Sequence, residues 1–290
     1  MSLPLPATLS PSKVSSFKDC ALAFRFSAID GLPEPPSIAA TRGTLVHLAL
    51  QHLFSLANEE RTLDAALACL ERAAEDMRDD PELVGLELDP AAEAQFLAEA
   101  DQLVRRYFEL EDPTSIDPIG LELMLEARIG DLRLRGIIDR LELDADGGLV
   151  VTDYKTGRAP AARYEQGRLN GVHFYSFLCE ELLGRRPSKV QLLYLGDPMA
   201  ITTIPTEQST RALRTKVSAI WSAVERACER EDFRPRPGPL CAWCSFQALC
   251  PAFGGELPER DPGRLVDLGA VAAIAVPDPQ PVSVALSASA

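Results

Sequence analysis

Two short stretches constrain this chain most: Gly136-Ile137-Ile138-Asp139-Arg140 and, shortly after it, Val151-Thr152-Asp153-Tyr154-Lys155-Thr156-Gly157. Both are rich in β-branched residues, and the turn residues Asp144-Ala145-Asp146-Gly147-Gly148 separate them, so the spacing predicts two strands of one hairpin. Side chains alternate along a strand, which sends Asp153 and Lys155 to the same face. Hairpin pairing brings Asp139 alongside. Asp139 follows the apolar pair Ile137-Ile138, and Asp153 follows Leu149-Val150-Val151 and Thr152. Charges at the ends of buried strands need partners. Two carboxylates and an ammonium at one point of a sheet suit a divalent cation such as Mg²⁺, which takes one or two carboxylates and keeps several waters.

The rest of the chain arranges itself around this hairpin. Val14, Phe17, Ala21 and Phe24 recur at helical spacing, and Pro11 suits a first turn, so residues 10–28 read as one helix. Further helices are expected over 41–57, 62–79, 90–111, 161–183 and 206–231, and strands over 120–129, 132–143, 149–155, 189–196 and 199–204. The order helix, three strands, helix, strands is that of an α/β core with a mixed sheet. A chain of 290 residues suits one domain, taken here as 1–261, with residues 59–117 as an acidic helical insertion and 262–290 as a flexible tail.

Charge is unevenly spread. The net value is −14, yet residues 59–117 alone hold 18 acidic and 5 basic side chains. Residues 158–236 hold 13 basic and 9 acidic ones, so a polyanion could meet a locally basic surface there. Arg158, Arg163 and Arg168 follow the lysine strand, with Arg185, Arg186 and Lys189 beyond. No apolar run reaches the ~20 residues of a membrane span. No basic stretch leads into an apolar one at the start. A cytoplasmic protein is the expectation.

Seven cysteines without a secretory signal argue against a disulfide framework. Cys69, Cys179 and Cys228 lie in apolar helical patterns and read as small core residues. Cys241-Ala242-Trp243-Cys244, five residues and then Cys250-Pro251 give three thiols in ten positions, which points to a metal. Cys20 is the natural fourth ligand, and the cysteine segment 237–253 then closes on the N-terminal helix. Zinc and an iron–sulfur cluster both accept four cysteines.

These pieces together resemble the RecB-like exonucleases of the PD-(D/E)xK nuclease superfamily, in the iron–sulfur branch that includes Cas4 and the AddB nuclease domain. The resemblance rests on Ser10-Pro11-Ser12 with Phe17 and Cys20, Gly43-Thr44-Leu45-Val46-His47, Gly136 to Arg140, Asp153 to Gly157, and the cysteines ending at Cys250. It implies a restriction-endonuclease-like core and a metal-dependent DNA exonuclease acting on single strands or duplex ends in repair or recombination. His47, Asp139, Asp153 and the carbonyl of Tyr154 would bind Mg²⁺ or Mn²⁺, with Asp139, Asp153, Lys155 and Tyr175 as catalytic residues. Cys20, Cys241, Cys244 and Cys250 would hold a structural [4Fe-4S] cluster, with Zn²⁺ the alternative. Glu122 or Glu126 occupies a place where the family often has a glutamate. Gly171 stands where the family usually carries glutamine, which favours the alternative of a weakly catalytic or non-catalytic nucleic-acid-binding subunit. No phosphate-loop motif is present, so the chain is expected to be either a stand-alone nuclease or a subunit working beside a helicase or other repair subunit.

Overall fold

The computed structural model describes residues 2–258, the side chains of 162–170 excepted. The expected tail over 262–290 lies outside the described residues. The helices are α1 (Pro11–Asp19), α2 (Ala21–Ala28), α3 (Ile38–Phe54), α4 (Leu63–Asp76), α5 (Pro81–Val84) and α6 (Pro90–Tyr107). Strands β1 (Pro118–Ile129), β2 (Leu132–Leu143) and β3 (Leu149–Lys155) follow. The crossover helix α7 (Ala162–Leu183), strands β4 (Lys189–Tyr194) and β5 (Met199–Thr203), and helix α8 (Glu207–Arg230) complete the core.

The five strands form one sheet in the order β1-β2-β3-β4-β5. Only β3 and β4 run parallel, and that pairing needs the long return through α7. The sheet is mixed, as expected, and its central strands β3 and β4 are buried on both faces. Leu149 and Val151 of β3 and Val190 and Leu192 of β4 face one core, with Phe174 and Phe177 of α7 and Val217 of α8. Tyr154 and Leu193 face the other, with Leu45, Leu50 and Phe54 of α3 and Phe96, Leu103 and Tyr107 of α6. The alternation along β3 and β4 thus assigns one residue set to each helical layer.

The helix expected over 10–28 is two helices. Ser10 caps the first, its hydroxyl accepting from Lys13 N at 3.2 Å. Cys20 then turns extended (φ −156°, ψ 111°), and α2 restarts at Ala21. Cys20 ends one helix by donating to Ser16 O and starts the next by accepting from Phe24 N. Phe17 and Phe24 meet edge to face at 5.2 Å across the break. Helix α3 begins earlier than expected, so Gly43 lies in its second turn rather than at its start.

Some of the acidity of 59–117 has a local cause. Asp80, Asp89 and Asp112 each accept backbone N–H groups at the start of a helical turn. Arg61, almost wholly buried, donates to the carbonyls of Phe54, Leu56, Pro113 and Ile116 and ties the end of α3 to the segment entering β1. No described helix is long and apolar enough to cross a membrane.

Candidate active site

The end of the β2–β3 hairpin nearest α3 gathers the ionisable groups. Across β2 and β3 the register pairs Arg140 with Thr152, which sets Asp139 beside Asp153. Asp139 is buried, and its Oδ2 accepts the Tyr154 backbone N–H at 2.6 Å. From α3, His47 Nδ1 lies 3.6 Å from the same oxygen and 3.9 Å from Glu122 Oε1. Its Nε2 lies 3.2 Å from the Tyr154 carbonyl oxygen. A proton on Nε2, donated to that carbonyl, leaves the Nδ1 lone pair facing the carboxylates, the tautomer that a metal needs.

His47, Glu122 and Asp139 therefore offer three ligand atoms within 4.8 Å of one another. An octahedral divalent ion with ligands at about 2.0–2.1 Å holds such atoms about 3–4 Å apart, the spacing that His47 Nδ1 keeps from Asp139 and Glu122. Electrostatics agree. Burial, with Asp139 and Asp153 close by, pushes the Glu122 carboxyl up to about 8. Burial and Asp153 raise Asp139 to about 6 despite the opposing pull of His47. Carboxylates this crowded are held at a cost that a cation would offset.

Asp153 faces the α7 layer. Its Oδ1 accepts from Tyr175 OH at 3.0 Å, and its Oδ2 pairs with the Lys155 ammonium. Burial lowers the affinity of Lys155 for its proton, but Asp153 outweighs it and the pKa is raised. Burial also raises the Tyr175 phenol, with Asp153 adding to it. Gly136 makes room for α7: a Cβ there would stand 2.9 Å from Leu178 and 3.3 Å from the Tyr175 ring. Past the lysine strand, a Cβ on Gly196 would fall 2.5 Å from the Gly157 carbonyl oxygen, so the loops after β3 and β4 meet backbone to backbone. Arg106 of α6 holds this corner by donating to Gly196 O at 2.6 Å.

Of the residues expected to bind metal, His47 and Asp139 lie in the three-ligand group. Asp153 is turned toward Tyr175 and Lys155, and the Tyr154 carbonyl faces His47. Between the two glutamates the geometry is decisive. Glu122, at a positive φ of 44°, joins the group, whereas Glu126 forms a two-bond pair with Arg133 at 2.9 and 3.0 Å. Arg158 is exposed just past Lys155. Arg163 and Arg168 lie on α7, but their side chains are outside the described residues. Arg185 donates to Gly147 O, and Arg186 pairs with Glu180, so both are already engaged. Gly171 is exposed, and a Cβ there would meet nothing within 4 Å. Sequence reasoning missed the set of groups behind the hairpin, around Arg140, because its partners come from distant elements.

Cys20, Cys241, Cys244 and Cys250 line a single cavity beside α1 and α2. Burial raises the Cys244 thiol, and the three other cysteines add to it. The Gly238 N–H points at Cys241 Sγ, 3.3 Å away. Cys69, Cys179 and Cys228 are buried in the core, as expected.

The comparisons follow the same lines. The family model described as the PD-(D/E)XK nuclease superfamily matches residues 8–251. Two curated relatives are the Gene 69 proteins of Mycobacterium phages L5 and D29. Each is 26% identical over 136 residues, 46% of this chain, and the match spans 44% and 48% of their own lengths. The chain thus covers under half of the curated relatives it matches. Among solved structures, that of a "Putative exonuclease" from Eubacterium rectale superposes with a TM-score of 0.51 at 10% identity, over 82% of this chain and 87% of that one. At such identity the likeness speaks for the fold alone. With a family match over most of its length and the mixed sheet to go with it, the chain belongs to the PD-(D/E)XK nuclease superfamily.

Proposed function

We propose that this protein is a metal-dependent DNA exonuclease of the RecB-like, Cas4/AddB-related branch, acting on single strands or duplex ends in repair or recombination in the cytoplasm. The observation that carries the reading is the convergence of His47, Glu122 and Asp139 beside the Asp153–Lys155 pair. When bound, Mg²⁺ or Mn²⁺ supplies Lewis-acid stabilisation and a water activated at neutral pH. His47, Glu122 and Asp139 would hold it, with Asp153 on the neighbouring strand beside Asp139; the Tyr154 carbonyl would instead fix the His47 ring. Lys155, kept as an ammonium by Asp153, neutralises charge developing on the phosphoryl oxygens and orients the incoming water by donation. Tyr175 holds the Asp153 carboxylate in place through its hydroxyl. Arg158, Arg163 and Arg168 lie along the chain leaving the site and would follow the phosphates.

For the cysteines we favour a structural [4Fe-4S] cluster over zinc. The four line one cavity, and the Gly238 N–H aimed at Cys241 Sγ is the type of bond that tunes a cluster. An absorbance shoulder near ~400 nm in anaerobically purified protein is expected; a colourless, zinc-loaded protein would remove the cluster and leave the nuclease reading standing.

The test of the main reading is degradation of end-labelled single-stranded and duplex DNA with Mg²⁺, with Mn²⁺ and with EDTA. Metal-dependent loss of label that Asp153→Ala abolishes is expected. A second reading rests on the resemblance: Gly171 stands where glutamine is expected, which suits a binding subunit with weak or no cleavage that works beside a helicase. A folded, cluster-loaded protein that binds DNA and leaves it intact would select that reading.

A further inference from the structure

The face of the hairpin opposite Asp153 carries a second set of buried polar groups. Arg140, the neighbour of Asp139, is wholly buried. Its two terminal nitrogens donate to both oxygens of Glu111, at 2.8 and 2.9 Å, and its Nε donates to Glu142 at 2.7 Å. It also donates to Tyr154 OH at 3.0 Å and to Thr152 Oγ1 at 3.2 Å. Gln191 of β4 donates to Glu111 Oε1 at 2.9 Å and to Thr152 Oγ1 at 2.8 Å. The guanidinium stacks 4.8 Å from the Phe54 ring centre, at the end of the helix that carries His47.

Tyr154 connects this set to the candidate metal site with three different groups. Its hydroxyl accepts from Arg140, its backbone N–H donates to Asp139, and its carbonyl faces His47. Glu111 lies just past α6, in the helical layer. A displacement of α6 is therefore felt at Arg140, then at Tyr154, and then at the two groups whose separation defines the site.

We propose that Glu111 and Arg140 are positioning residues, a bidentate clamp by which the helical layer sets the spacing of His47 and Asp139 and so the affinity for the divalent cation. The inference rests on the metal-site reading above and assigns a role to the edge of the acidic segment 59–117. Arg140 needs both carboxylates because a guanidinium buried without them would be uncompensated. The planar fork, unlike an ammonium, also fixes direction.

The structure supplies its own control. Arg61 is equally a buried arginine over Phe54, at 5.1 Å, but it bonds only carbonyls away from the site. The experiment is Mn²⁺ binding by the full chain, followed by loss of the free-ion electron paramagnetic resonance signal, with thermal melts in parallel. Glu111→Gln is expected to weaken Mn²⁺ binding about ten-fold or more, in the range of partners that orient metal ligands. Arg61→Lys is expected to lower the melting temperature and leave Mn²⁺ affinity within about two-fold. A folded Glu111→Gln protein with wild-type Mn²⁺ affinity would overturn the inference, and so would an Arg61→Lys protein that loses as much. If Glu111→Gln does not fold, Gln191→Ala, which removes one donor from Glu111 and one from Thr152, decides by the same measure, with about three-fold weakening expected and none overturning. Asp139→Asn separates the two readings. Mn²⁺ binding by the wild type and not by this variant upholds the metal site whatever Glu111→Gln does, whereas a wild type that binds no Mn²⁺ sinks both.

Discussion

The two faces of strand β3 at residues 153–155 make opposite use of the same buried environment. On one side Glu122, Asp139 and Asp153 crowd together with Lys155 as the nearest fixed cation, and the Glu122 and Asp139 carboxyls are pushed up. On the other, Arg140 has two carboxylates, three hydroxyl groups and two aromatic rings. Burial would lower the Arg140 pKa, but its partners outweigh it and the pKa is raised. In a low dielectric a satisfied set of polar groups rigidifies, and a set short of positive charge waits for a ligand. The under-compensated face is where chemistry is proposed, and the compensated face is its support.

The comparison breaks most sharply at the chemistry. Lys155→Ala and Asp139→Ala are each expected to lower DNA cleavage about 10³-fold in a metal-saturated assay, while far-UV circular dichroism stays that of the wild type. Next come stability effects of opposite sign. In metal-free protein, Glu111→Gln is expected to cost about 3 kcal/mol in denaturant unfolding, because it loosens a buried pair. Glu122→Gln relieves crowding and is expected to raise stability by about 1 kcal/mol under the same conditions. Equal signs would mean that the two faces do not differ as described. Metal requirement sharpens the choice between glutamates. Glu122→Gln should raise the Mn²⁺ concentration for half-maximal cleavage about 10–100-fold, and Glu126→Gln, which only frees Arg133, by less than about two-fold.

A pH series gives a smaller effect with a defined sign. Glu122 and Asp139 keep their protons in the native state above the usual carboxylate range, to about 8 and about 6. Over that window the native protein holds more protons than the unfolded chain, so metal-free stability falls as pH rises from about 4.5 to 8. Mn²⁺ affinity moves the other way, because those protons must leave for the ion to bind. Melts at fixed ionic strength check the first and Mn²⁺ titrations the second. The smallest change is expected from Gly171→Gln: with open space around it, the new side chain should leave the melting temperature within about 2 °C and alter cleavage by less than about ten-fold.

The strands and the hairpin charges were legible because alternation and turn residues are local signals. Asp153 and Lys155 share a face for the reason the spacing gives. Glu122 and Glu126 could not be told apart, because positions four apart on a strand share a face. What separates them is register: β1 sets Glu126 opposite Arg135, while Glu122 lies at the level of Asp139. The break at Cys20 was hidden because Ala21 carries no helix-breaking signal and the apolar spacing continues through it. Nor does the chain announce that Glu111 answers Arg140, since a pairing across 29 positions is a property of the assembled layers.

Residues 3–20 find their partners far along the chain. Leu9 bridges to Leu134 of β2, Leu3 N–H bonds the Cys228 carbonyl at the end of α8, and Cys20 shares its cavity with residues 241–250. A ribosome adding about 5–20 residues per second reaches Cys228 and Cys250 only long after residues 3–20 have emerged. Until then α1 and α2 emerge with Phe24 and Phe26 uncovered. Vectorial synthesis thus leaves α1 and α2 as clients for whatever shields nascent chains, until the segment around Cys241 arrives to cover them.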